Sequence, residues 1–290
     1  MKILVIQFAR LGDIYMSWPA ARALRRKHPE AEIHLLVRPR FEAAAQGLEA
    51  VDRVVSFPTA HLLEPLVGEP ADPTEALSRT ARATESLRDE NYDLIVNWTF
   101  SPLSSWLVKT IASPTAEILG YNRHRDGSLL IADDVSAFFY AQVGTERPNR
   151  VHLTDLFATM INMDLIAEDW RAPRFEASGR SLPEKYWVLH PGASESQKRI
   201  EPWQWARLIQ EYAGFAGEDA LPVVLIGSAE EKIIAQAVQS GVNRIPVLDL
   251  TGETKITEVF GLLEKAGLLV GADSAPLHMA SLTGTPTFNI

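Results

Sequence analysis

Short apolar segments alternate with helical patterns along most of the chain, and this alternation restricts the fold more than any other feature. The first apolar segment, residues 2–7, is almost entirely aliphatic, as is typical of a parallel strand buried on both faces. A helical pattern over residues 14–27 follows it, and residues 32–37, 53–57 and 94–97 predict further strands. A repeated strand–helix–strand order implies right-handed crossovers and a parallel sheet. We therefore expect an α/β protein.

A second series of the same kind begins at residue 185. Between the two series, residues 164–183 lose their periodicity and gain proline and glycine, as interdomain segments often do. The 290 residues leave room for two domains of the usual ~100 to 200 residues each. The sequence predicts a first domain over residues 1–170, a linker over 171–184 and a second domain over 185–290.

Two stretches of the first domain lack a regular pattern. Residues 59–73 are rich in proline and are predicted to form a loop or flap, followed by a helix to about residue 89. Residues 121–150, which include Arg123 and Arg125, are expected to contain a lid or an acceptor loop.

The composition excludes several classes of protein. Lys and Arg number 28 against 37 Asp and Glu, a formal net charge of −9, so a surface that coats nucleic acid is not expected. The absence of cysteine excludes disulfides, thiol nucleophiles and cysteine-type zinc sites. No apolar run reaches the ~18 to 20 residues of a membrane span, and residues 1–8 do not resemble a signal peptide. We therefore expect a cytoplasmic protein whose contact with a membrane is peripheral.

Several common active-site motifs are absent from the sequence. It contains no G-x-G-x-x-G, G-x-x-x-x-G-K-[ST], H-E-x-x-H or G-x-S-x-G pattern, so the dinucleotide fingerprint, the P-loop, the zincin helix and the nucleophile elbow lack support. No two aspartates are separated by a single residue, the spacing found in metal-dependent sugar transferases of another fold. A mechanism without a metal ion or cofactor is therefore favoured.

The first polar cluster follows the first predicted strand, at the end where an open α/β sheet binds its ligands. It consists of Arg10, Leu11, Gly12 and Asp13. A carboxylate that is partly desolvated at such a position can have the raised basicity of a general base. Asp is also a frequent helix cap, and from this spacing alone the cap is the commoner role for Asp13.

The second cluster combines a glycine-containing turn with basic side chains between a predicted strand and a predicted helix. It is His190-Pro191-Gly192-Ala193-Ser194, followed by Lys198 and Arg199. The exposed N–H groups of such a turn and a nearby ammonium suit a diphosphate. A polar connection with solvated basic residues fits the pattern equally well.

The third cluster covers residues 271–278, again where a predicted strand meets a helix. Asp273 or Ser274 would cap this helix and leave N–H groups of its first turn available to an anion. His278 lies four residues after Ser274, on nearly the same helix face. A histidine in a helix is usually a packed residue, so this position supports a ligand role for His278 only in part.

Four separate blocks of sequence carry these clusters. They are K-I-L-V-I-x-x-x-R-L-G-D-I, H-P-G-A-S-x-x-x-K-R, V-V-L-I-G-S-A-E-E and G-A-D-S-A-P-L-H-M-A-S-L-T-G-T-P-T. In order and spacing they resemble the bacterial heptosyltransferases of glycosyltransferase family 9, whereas residues 59–149 match poorly. The resemblance implies a GT-B fold with two facing Rossmann-like domains, parallel sheets and an interdomain cleft. The first domain would bind the acceptor and the second a nucleotide sugar.

The resemblance also implies an activity and roles for individual residues. The enzyme would transfer heptose from ADP-heptose to the inner core of lipopolysaccharide, with inversion and without a metal ion, and Asp13 would deprotonate the acceptor hydroxyl. Ser194 and Lys198 would hold the diphosphate, and either Glu230 or Glu231 would bind the ribose hydroxyls. The remaining donor-side residues implied are Asp273, Ser274, Ala275 and His278, and the acceptor-side candidates are Arg10, Gly12, Arg123 and Arg125.

Two features depart from the family pattern. Ala275 stands where the family usually has glycine, and its Cβ would crowd a phosphate if the backbone had to approach closely or adopt a positive φ. The chain ends at Ile290, where family members continue with segments that cross back to the first domain, so we expect a shortened second domain or a different closure of the cleft. Two alternatives stay open: a nucleotide-sugar-binding module without catalysis, and a GT-B-like sugar epimerase.

An anionic lipopolysaccharide core is an unusual acceptor for a chain with a net charge of −9. Basic residues of the first domain would give it a local positive face, and one use of this face is contact with the inner side of the cytoplasmic membrane. These residues are Arg22, Arg25, Arg26, Lys27, Arg38 and Arg40. For the run at 25–27 a solvated helix end, favoured by the helix dipole, is the commoner role.

Overall fold

The computed structural model describes residues 1–142, 150–175, 179–193 and 198–290. Contacts within the chain group these residues into two compact units, Met1–Asp169 and Trp170–Ile290. Each unit is built on its own sheet with helices in the crossovers. The α/β fold class predicted from the sequence is therefore confirmed.

The first unit alternates strands and helices along most of its length. Its elements are β1 (Lys2–Ile6), α1 (Leu11–Lys27), β2 (Glu32–Val37), β3 (Arg53–Ser56), α2 (Thr59–Val67), α3 (Pro73–Asp89), β4 (Leu94–Asn97), α4 (Pro102–Ile111), β5 (Glu117–Arg123), β6 (Leu129–Ile131), α5 (Asp134–Gln142) and α6 (Leu153–Met160). A 3-10 turn, Pro39–Ala45, follows β2. The sheet order is β3-β2-β1-β4-β5-β6, parallel except for the antiparallel pair of β5 and β6.

The continuous apolar sequence of β1 is explained by its place in this sheet. The strand lies between β2 and β4, and its residues Ile3, Leu4, Val5 and Ile6 are fully buried. Parallel strands covered on both faces need apolar side chains at every position rather than at alternate positions. The helix after β1 begins at Leu11, three residues before the first residue of the predicted helix.

Residues 59–73 differ from the sequence prediction of a loop or flap. Residues Thr59–Val67 form the helix α2 although Pro65 lies inside it, and Leu62 is buried in the core cluster of the first sheet. Burial of this side chain outweighs the helix-breaking tendency of proline in a short helix. Where a lid or acceptor loop was expected, the chain forms the β5–β6 hairpin and α5, while residues 143–149 lie outside the described part.

The basic residues of α1 are engaged inside the first unit. Arg22 is buried, forms an ion pair with Glu49 at 3.1 Å, and donates to the Asp169 carbonyl at 2.9 Å. Arg26 also pairs with Asp169, through its carboxylate at 2.9 Å. Likewise, Arg25 pairs with Asp52 and Lys27 donates to the Ile161 carbonyl. Arg22 is buried, so its expected place in an outward positive face is corrected. Arg26 and Lys27 are exposed although they have partners, and for them the expectation stays a prediction.

The second unit repeats the strand–helix alternation. Its elements are β7 (Trp187–His190), α7 (Pro202–Ala216), β8 (Val223–Leu225), α8 (Lys232–Ser240), β9 (Val247–Asp249), α9 (Ile256–Lys265), β10 (Leu269–Gly271), α10 (Ala275–Thr283) and β11 (Thr287–Asn289). The strand order is β11-β10-β7-β8-β9, and each described pair is parallel. The apolar segments at residues 186–190, 223–226, 246–250, 268–270 and 285–290 predict these strands to within one or two residues.

The strand orders identify one ligand position in each unit. In an open α/β sheet, ligands bind outside the carboxyl ends of the strands where the winding reverses. In the first unit this switch point lies between β1 and β4, and in the second it lies between β7 and β10. We call the carboxyl ends of the strands in the first and second units the first edge and the second edge.

Candidate functional site

Asp13 lies at the first edge, in the opening turn of α1. Its Oδ2 accepts a hydrogen bond from the Arg10 N–H at 2.9 Å, so the carboxylate closes the start of the helix. Within the described residues its other oxygen, Oδ1, has no hydrogen bond. The N-cap role considered from the sequence is corrected: α1 begins at Leu11 after Arg10, so Asp13 is the third residue of the helix and holds its start from inside the first turn through Oδ2, while Oδ1 remains accessible. Gly12 precedes Asp13 in the same turn.

A buried polar network supports the loops of the first edge. Thr99 Oγ1 accepts from the Phe8 N–H at 2.7 Å, and the Thr99 N–H donates to Asn97 Oδ1 at 3.1 Å. Gln7 Oε1 accepts from the Ala9 N–H at 3.2 Å. Gln7, Asn97 and Thr99 are all buried, so these bonds fix the chain that leads from β1 to α1 in low-dielectric surroundings.

Two further arginines lie beside Asp13. Arg38, at the end of β2, donates to the Ala9 carbonyl at 3.4 Å, and its guanidinium stacks on Phe41 with 4.7 Å to the ring centroid. The exposed Arg40 lies 5.8 Å from the same ring. Burial lowers the pKa of Arg38, the like charges of Arg10 and Arg40 lower it further, and only the nearby Asp13 charge acts in the opposite direction. The first edge is thus locally rich in positive charge.

The other two acceptor-side candidates lie farther along the sheet. Arg123 ends β5, where it donates to Ser105 Oγ at 3.1 Å and to the Gly127 carbonyl at 2.7 Å and stacks on Trp106 at 4.7 Å. Arg125 is exposed in the turn between β5 and β6. Arg123 therefore holds the hairpin in place, and Arg125 is the more accessible of the two.

His190, Glu231 and Ser274 meet at the switch point of the second unit. His190 ends β7 and is buried; its Nδ1 lies 3.0 Å from Ser274 Oγ and its Nε2 lies 3.5 Å from Glu231 Oε2. Ser274 immediately precedes α10, but its hydroxyl donates to the Ala272 carbonyl at 2.9 Å and does not cap the helix. The expected side-chain cap by Asp273 or Ser274 is therefore corrected.

The carboxylate of Glu231 is enclosed by two glycines. A Cβ built on Gly192 would lie 1.7 Å from Oε1, and one on Gly227 would lie 2.8 Å from Oε2. Burial opposes ionisation of Glu231, but hydrogen bonds from His190 and from the Ser228 N–H outweigh it and lower the pKa to about 2. Glu231 is therefore a partly buried anion against which the loops of Gly192 and Gly227 pack.

Glu230 differs from Glu231 in both exposure and hydrogen bonding. It is exposed and forms no hydrogen bond or ion pair with the other described residues. Since Glu231 is committed to His190 and Ser228, Glu230 is the carboxylate that is accessible to a ligand. The structure thus distinguishes two carboxylates between which the spacing had left a choice open.

Lys198 and His278 surround Asp273 at the second edge. The Lys198 ammonium lies 2.6 Å from Asp273 Oδ2, and His278 Nε2 lies 3.7 Å from Asp273 Oδ1. The hydrogen bond from Lys198 lowers the pKa of Asp273, and the charges on Lys198 and His278 lower it further, while burial opposes them. Ser194, assigned to the same cluster from the sequence, lies outside the described residues.

Ala275 is the first residue of α10 and has a negative φ. A glycine is therefore not needed there for a left-handed backbone, which answers one of the two concerns that its Cβ raised.

The sequence reading gave no role to His190 or to the pair of Arg38 and Phe41. For His190 the sequence did offer one signal, because a titratable residue ends an otherwise apolar strand immediately before Pro191-Gly192. No group of three or more histidine, aspartate or glutamate side chains that could hold a metal ion occurs in the described ranges. Across the same part of the chain, each helix is too short or too polar to cross a bilayer.

The two sheets define a class of fold, which solved structures share. Escherichia coli heptosyltransferase WaaC with ADP-2-deoxy-2-fluoro heptose has a TM-score of 0.66 at 17% identity, covering 99% of this chain and 87% of that chain. Escherichia coli ADP-heptose lps heptosyltransferase II has a TM-score of 0.67 at 18% identity, covering 99% and 83%. The fold is therefore GT-B, as the resemblance implied.

The sequence comparisons give the family. The model of glycosyltransferase family 9 (heptosyltransferase) matches residues 80–290, well over half of the chain. Lipopolysaccharide heptosyltransferase 3 of Escherichia coli (strain K12) is 21% identical over 285 residues, covering 96% of this chain and 79% of that protein. The chain belongs to glycosyltransferase family 9 and is a glycosyltransferase, which confirms the family predicted from the four sequence blocks.

Proposed function

We propose that this glycosyltransferase transfers heptose from ADP-heptose to the inner core of lipopolysaccharide. The family match supports this reaction, as do the relative named lipopolysaccharide heptosyltransferase 3 and the similar structure that contains ADP-2-deoxy-2-fluoro heptose. The observation that carries the proposal is the meeting of Lys198, Ser274 and the start of α10 at the second switch point. An ammonium, a hydroxyl and a helix N-terminus together suit a diphosphate.

The second unit is proposed to bind the donor. Lys198 and His278 supply positive charge to the diphosphate, and Ser274 supplies a hydroxyl donor at the N-terminus of α10. Glu230 accepts hydrogen bonds from the ribose hydroxyls, because it is exposed at the same edge. Ser194 belongs to the same proposed site by its place in the motif.

The first unit is proposed to bind the acceptor. Asp13 is the general base, since its Oδ1 is unoccupied by described partners while Oδ2 holds the helix start. Arg10, Arg38 and Arg40 give the same edge the positive charge that an anionic core saccharide requires. Arg125 is an exposed cation farther along this edge.

The transfer is proposed to be a single displacement. The acceptor oxygen forms its bond to the anomeric carbon as the bond from that carbon to the diphosphate oxygen breaks, and attack opposite the leaving group inverts the configuration. The acceptor proton passes to Asp13, and ADP leaves with the electron pair of the broken bond. Lys198 and the first turn of α10 offset the charge that develops on the diphosphate, so no resident metal ion or cofactor is proposed.

The test is a transfer assay with the purified protein, ADP-heptose and an inner-core acceptor in excess EDTA, beside calorimetry with ADP-, UDP- and GDP-sugars. We expect transfer that survives chelation and measurable binding of ADP-sugars. Loss of activity on chelation that Mg²⁺ or Mn²⁺ restores would contradict the metal-independent mechanism. Tighter binding of UDP- or GDP-sugars than of ADP-sugars would contradict the proposal that ADP-heptose is the donor.

A further inference from the structure

His190 connects loops that follow different strands of the second edge. The ring ends β7, its Nε2 faces Glu231 after β8, and its Nδ1 faces Ser274 after β10. With 7% of its surface exposed, the imidazole is almost completely removed from solvent. Because both ring nitrogens have partners, the partners determine which nitrogens carry hydrogens.

The contacts of Ser274 and Glu231 decide where those hydrogens lie. The Glu231 carboxylate, with a pKa of about 2, only accepts, so Nε2 must carry a hydrogen. Ser274 has a single hydroxyl hydrogen, and the Ala272 carbonyl at 2.9 Å can only accept it. Nδ1 must then donate to Ser274 Oγ, so the observed contacts are all satisfied together when His190 is an imidazolium.

A neutral His190 changes what Ser274 offers to a ligand. Nε2 keeps its hydrogen because of Glu231, so Nδ1 becomes an acceptor and takes the Ser274 hydrogen. The hydroxyl oxygen then presents only lone pairs, which repel a phosphate oxygen. With the imidazolium, Oγ accepts from Nδ1–H and its own hydrogen is free to turn from Ala272 to an incoming oxyanion.

We propose that His190 is a positioning residue for the donor diphosphate: its protonated ring orients Ser274 as a hydrogen-bond donor, so that binding of the diphosphate takes up a proton at this ring. The inference rests on the proposed function, in which Ser274 contacts the diphosphate. It assigns His190 and its counterion Glu231 to donor recognition although neither touches the donor. Buried charge behind the hydroxyl strengthens its bond to an anion.

Other charged groups near the ring must be separated from its effect. They are Glu231 after β8, Asp273 and His278 around the start of α10, and Lys198 and Arg199 after β7. Among these, His278 is the group whose type normally titrates near neutral pH. A variant at His278 is therefore needed beside variants at His190.

The experiment measures binding of ADP-ribose by calorimetry between about pH 6 and about pH 9, the range that spans histidine titration. Each phosphate of this probe carries one ester bond and the shared anhydride bond, so neither ionises near neutral pH and the charge of the probe is constant over the range. Runs in two buffers with different heats of ionisation give the number of protons taken up. The proteins are the wild type, His190→Asn, whose amide N–H replaces Nδ1–H without titrating, and His278→Asn.

We expect wild-type affinity to fall roughly tenfold as the pH rises, the lower end of what a hydrogen bond to a charged group contributes, with net proton uptake on binding. His278→Asn should keep most of this slope and uptake, and a folded His190→Asn should lose them. Should His190→Asn unfold, Glu231→Gln gives the same readout, because it removes the counterion that favours the imidazolium.

Three results would overturn the inference. One is a wild-type affinity that does not change with pH. Another is a His190→Asn protein that binds more weakly by the same factor at every pH, as a purely structural role requires. The last is a slope that disappears with His278→Asn instead. If the wild type does not bind ADP-ribose at any pH, the proposed donor itself is wrong and the inference falls with it.

Discussion

The ammonium of Lys198 lies 2.6 Å from Oδ2 of Asp273, and this ion pair joins the loop after β7 to the loop after β10. The two residues are 75 positions apart in sequence, and they meet because β7 and β10 are neighbours in the sheet. The hydrogen bond from Lys198 lowers the pKa of Asp273, which stays ionised at neutral pH. The diphosphate that we propose to bind at the second edge would therefore compete with Asp273 for the same ammonium.

Lys198→Ala should weaken ADP binding. The lost charge-assisted hydrogen bond corresponds to roughly 1.5 to 3 kcal/mol, measured by calorimetry. Arg207→Ala is the matched control, since it also removes an ion-paired cation of the second unit, one that pairs with Glu211 on α7. Equal affinity in Lys198→Ala and the wild type would remove Lys198 from the donor site.

Glu230→Ala should weaken binding of ADP but not of inorganic pyrophosphate. The proposed contact is with the ribose, which pyrophosphate lacks, so the loss of roughly 1.5 to 3 kcal/mol should appear with ADP alone. Lys198→Ala should weaken binding of both ligands, because its proposed contact is with the diphosphate. The two variants together therefore distinguish ribose contacts from diphosphate contacts. Because Glu230 is exposed, its variant should melt at the wild-type temperature. Unchanged ADP affinity would argue against Glu230 as the ribose ligand.

Glu231→Gln should destabilise the protein in a pH-dependent manner. The pKa of Glu231 is depressed from 4.5 to about 2 in the folded state, so its contribution is complete above about pH 4.5 and is lost as the pH falls toward 2. This shift corresponds to up to about 3 kcal/mol in the free energy of unfolding. Urea denaturation should show a wild-type advantage that narrows as the pH falls below about 4.5.

The neighbouring Glu230→Gln is the control for that series, because the same chemical change on an exposed side chain should leave the urea midpoint unchanged at each pH. A constant difference between wild type and Glu231→Gln down to the lowest pH would show that the charge of Glu231 does not stabilise the fold.

Gly192→Ala should destabilise the second unit and weaken ADP binding. The added Cβ would meet Glu231 Oε1 at 1.7 Å, so either the loop after β7 or the carboxylate must move, with a cost typical of overpacking, about 1 to 3 kcal/mol. Gly261→Ala in α9 is the control, because its Cβ meets nothing within 4 Å and alanine favours a helix. A Gly192→Ala protein with wild-type stability and ADP affinity would mean that the loop or the Glu231 carboxylate can move aside at little cost.

The sequence predicted the strands well for a physical reason. A parallel strand covered on both faces must be apolar throughout, as Ile3 to Ile6 and Val223 to Leu225 are, and such a segment is visible without any structure. The helix α2 was missed because its local signal is the presence of Pro65, whereas its stability comes from burying Leu62, a tertiary effect.

The sequence predicted which kinds of residue form the candidate site, but not which of these residues contact one another. Polar residues that follow apolar segments are visible in the sequence, and Asp13, Lys198 and Asp273 are of this kind. The distinction between Glu230 and Glu231 was not accessible, because it depends on the space that Gly192 leaves from a distant loop. For the same reason His190 received no role until Ser274, 84 residues away, was found beside its ring.

Asp13→Asn separates the catalytic role of this residue from its structural one. In the structure the carboxylate accepts a hydrogen bond from the Arg10 N–H at 2.9 Å, and the asparagine carbonyl can accept the same bond. The melting temperature should therefore change little, and ADP affinity should not change, since the proposed donor residues belong to the second unit. An amide cannot take the acceptor proton, so the transfer rate should fall by on the order of 10² to 10⁴.

A control for the loss of charge at a helix start is Asp72→Asn. Asp72 caps α3 by accepting from the Glu75 N–H at 3.0 Å, so the variant makes the same substitution at a comparable cap in the same unit. If capping were the whole function of Asp13, both variants would transfer heptose at nearly the wild-type rate and melt within a degree or so of it. A large drop in rate for Asp13→Asn alone, with unchanged ADP affinity and melting temperature, is the result that a general base requires.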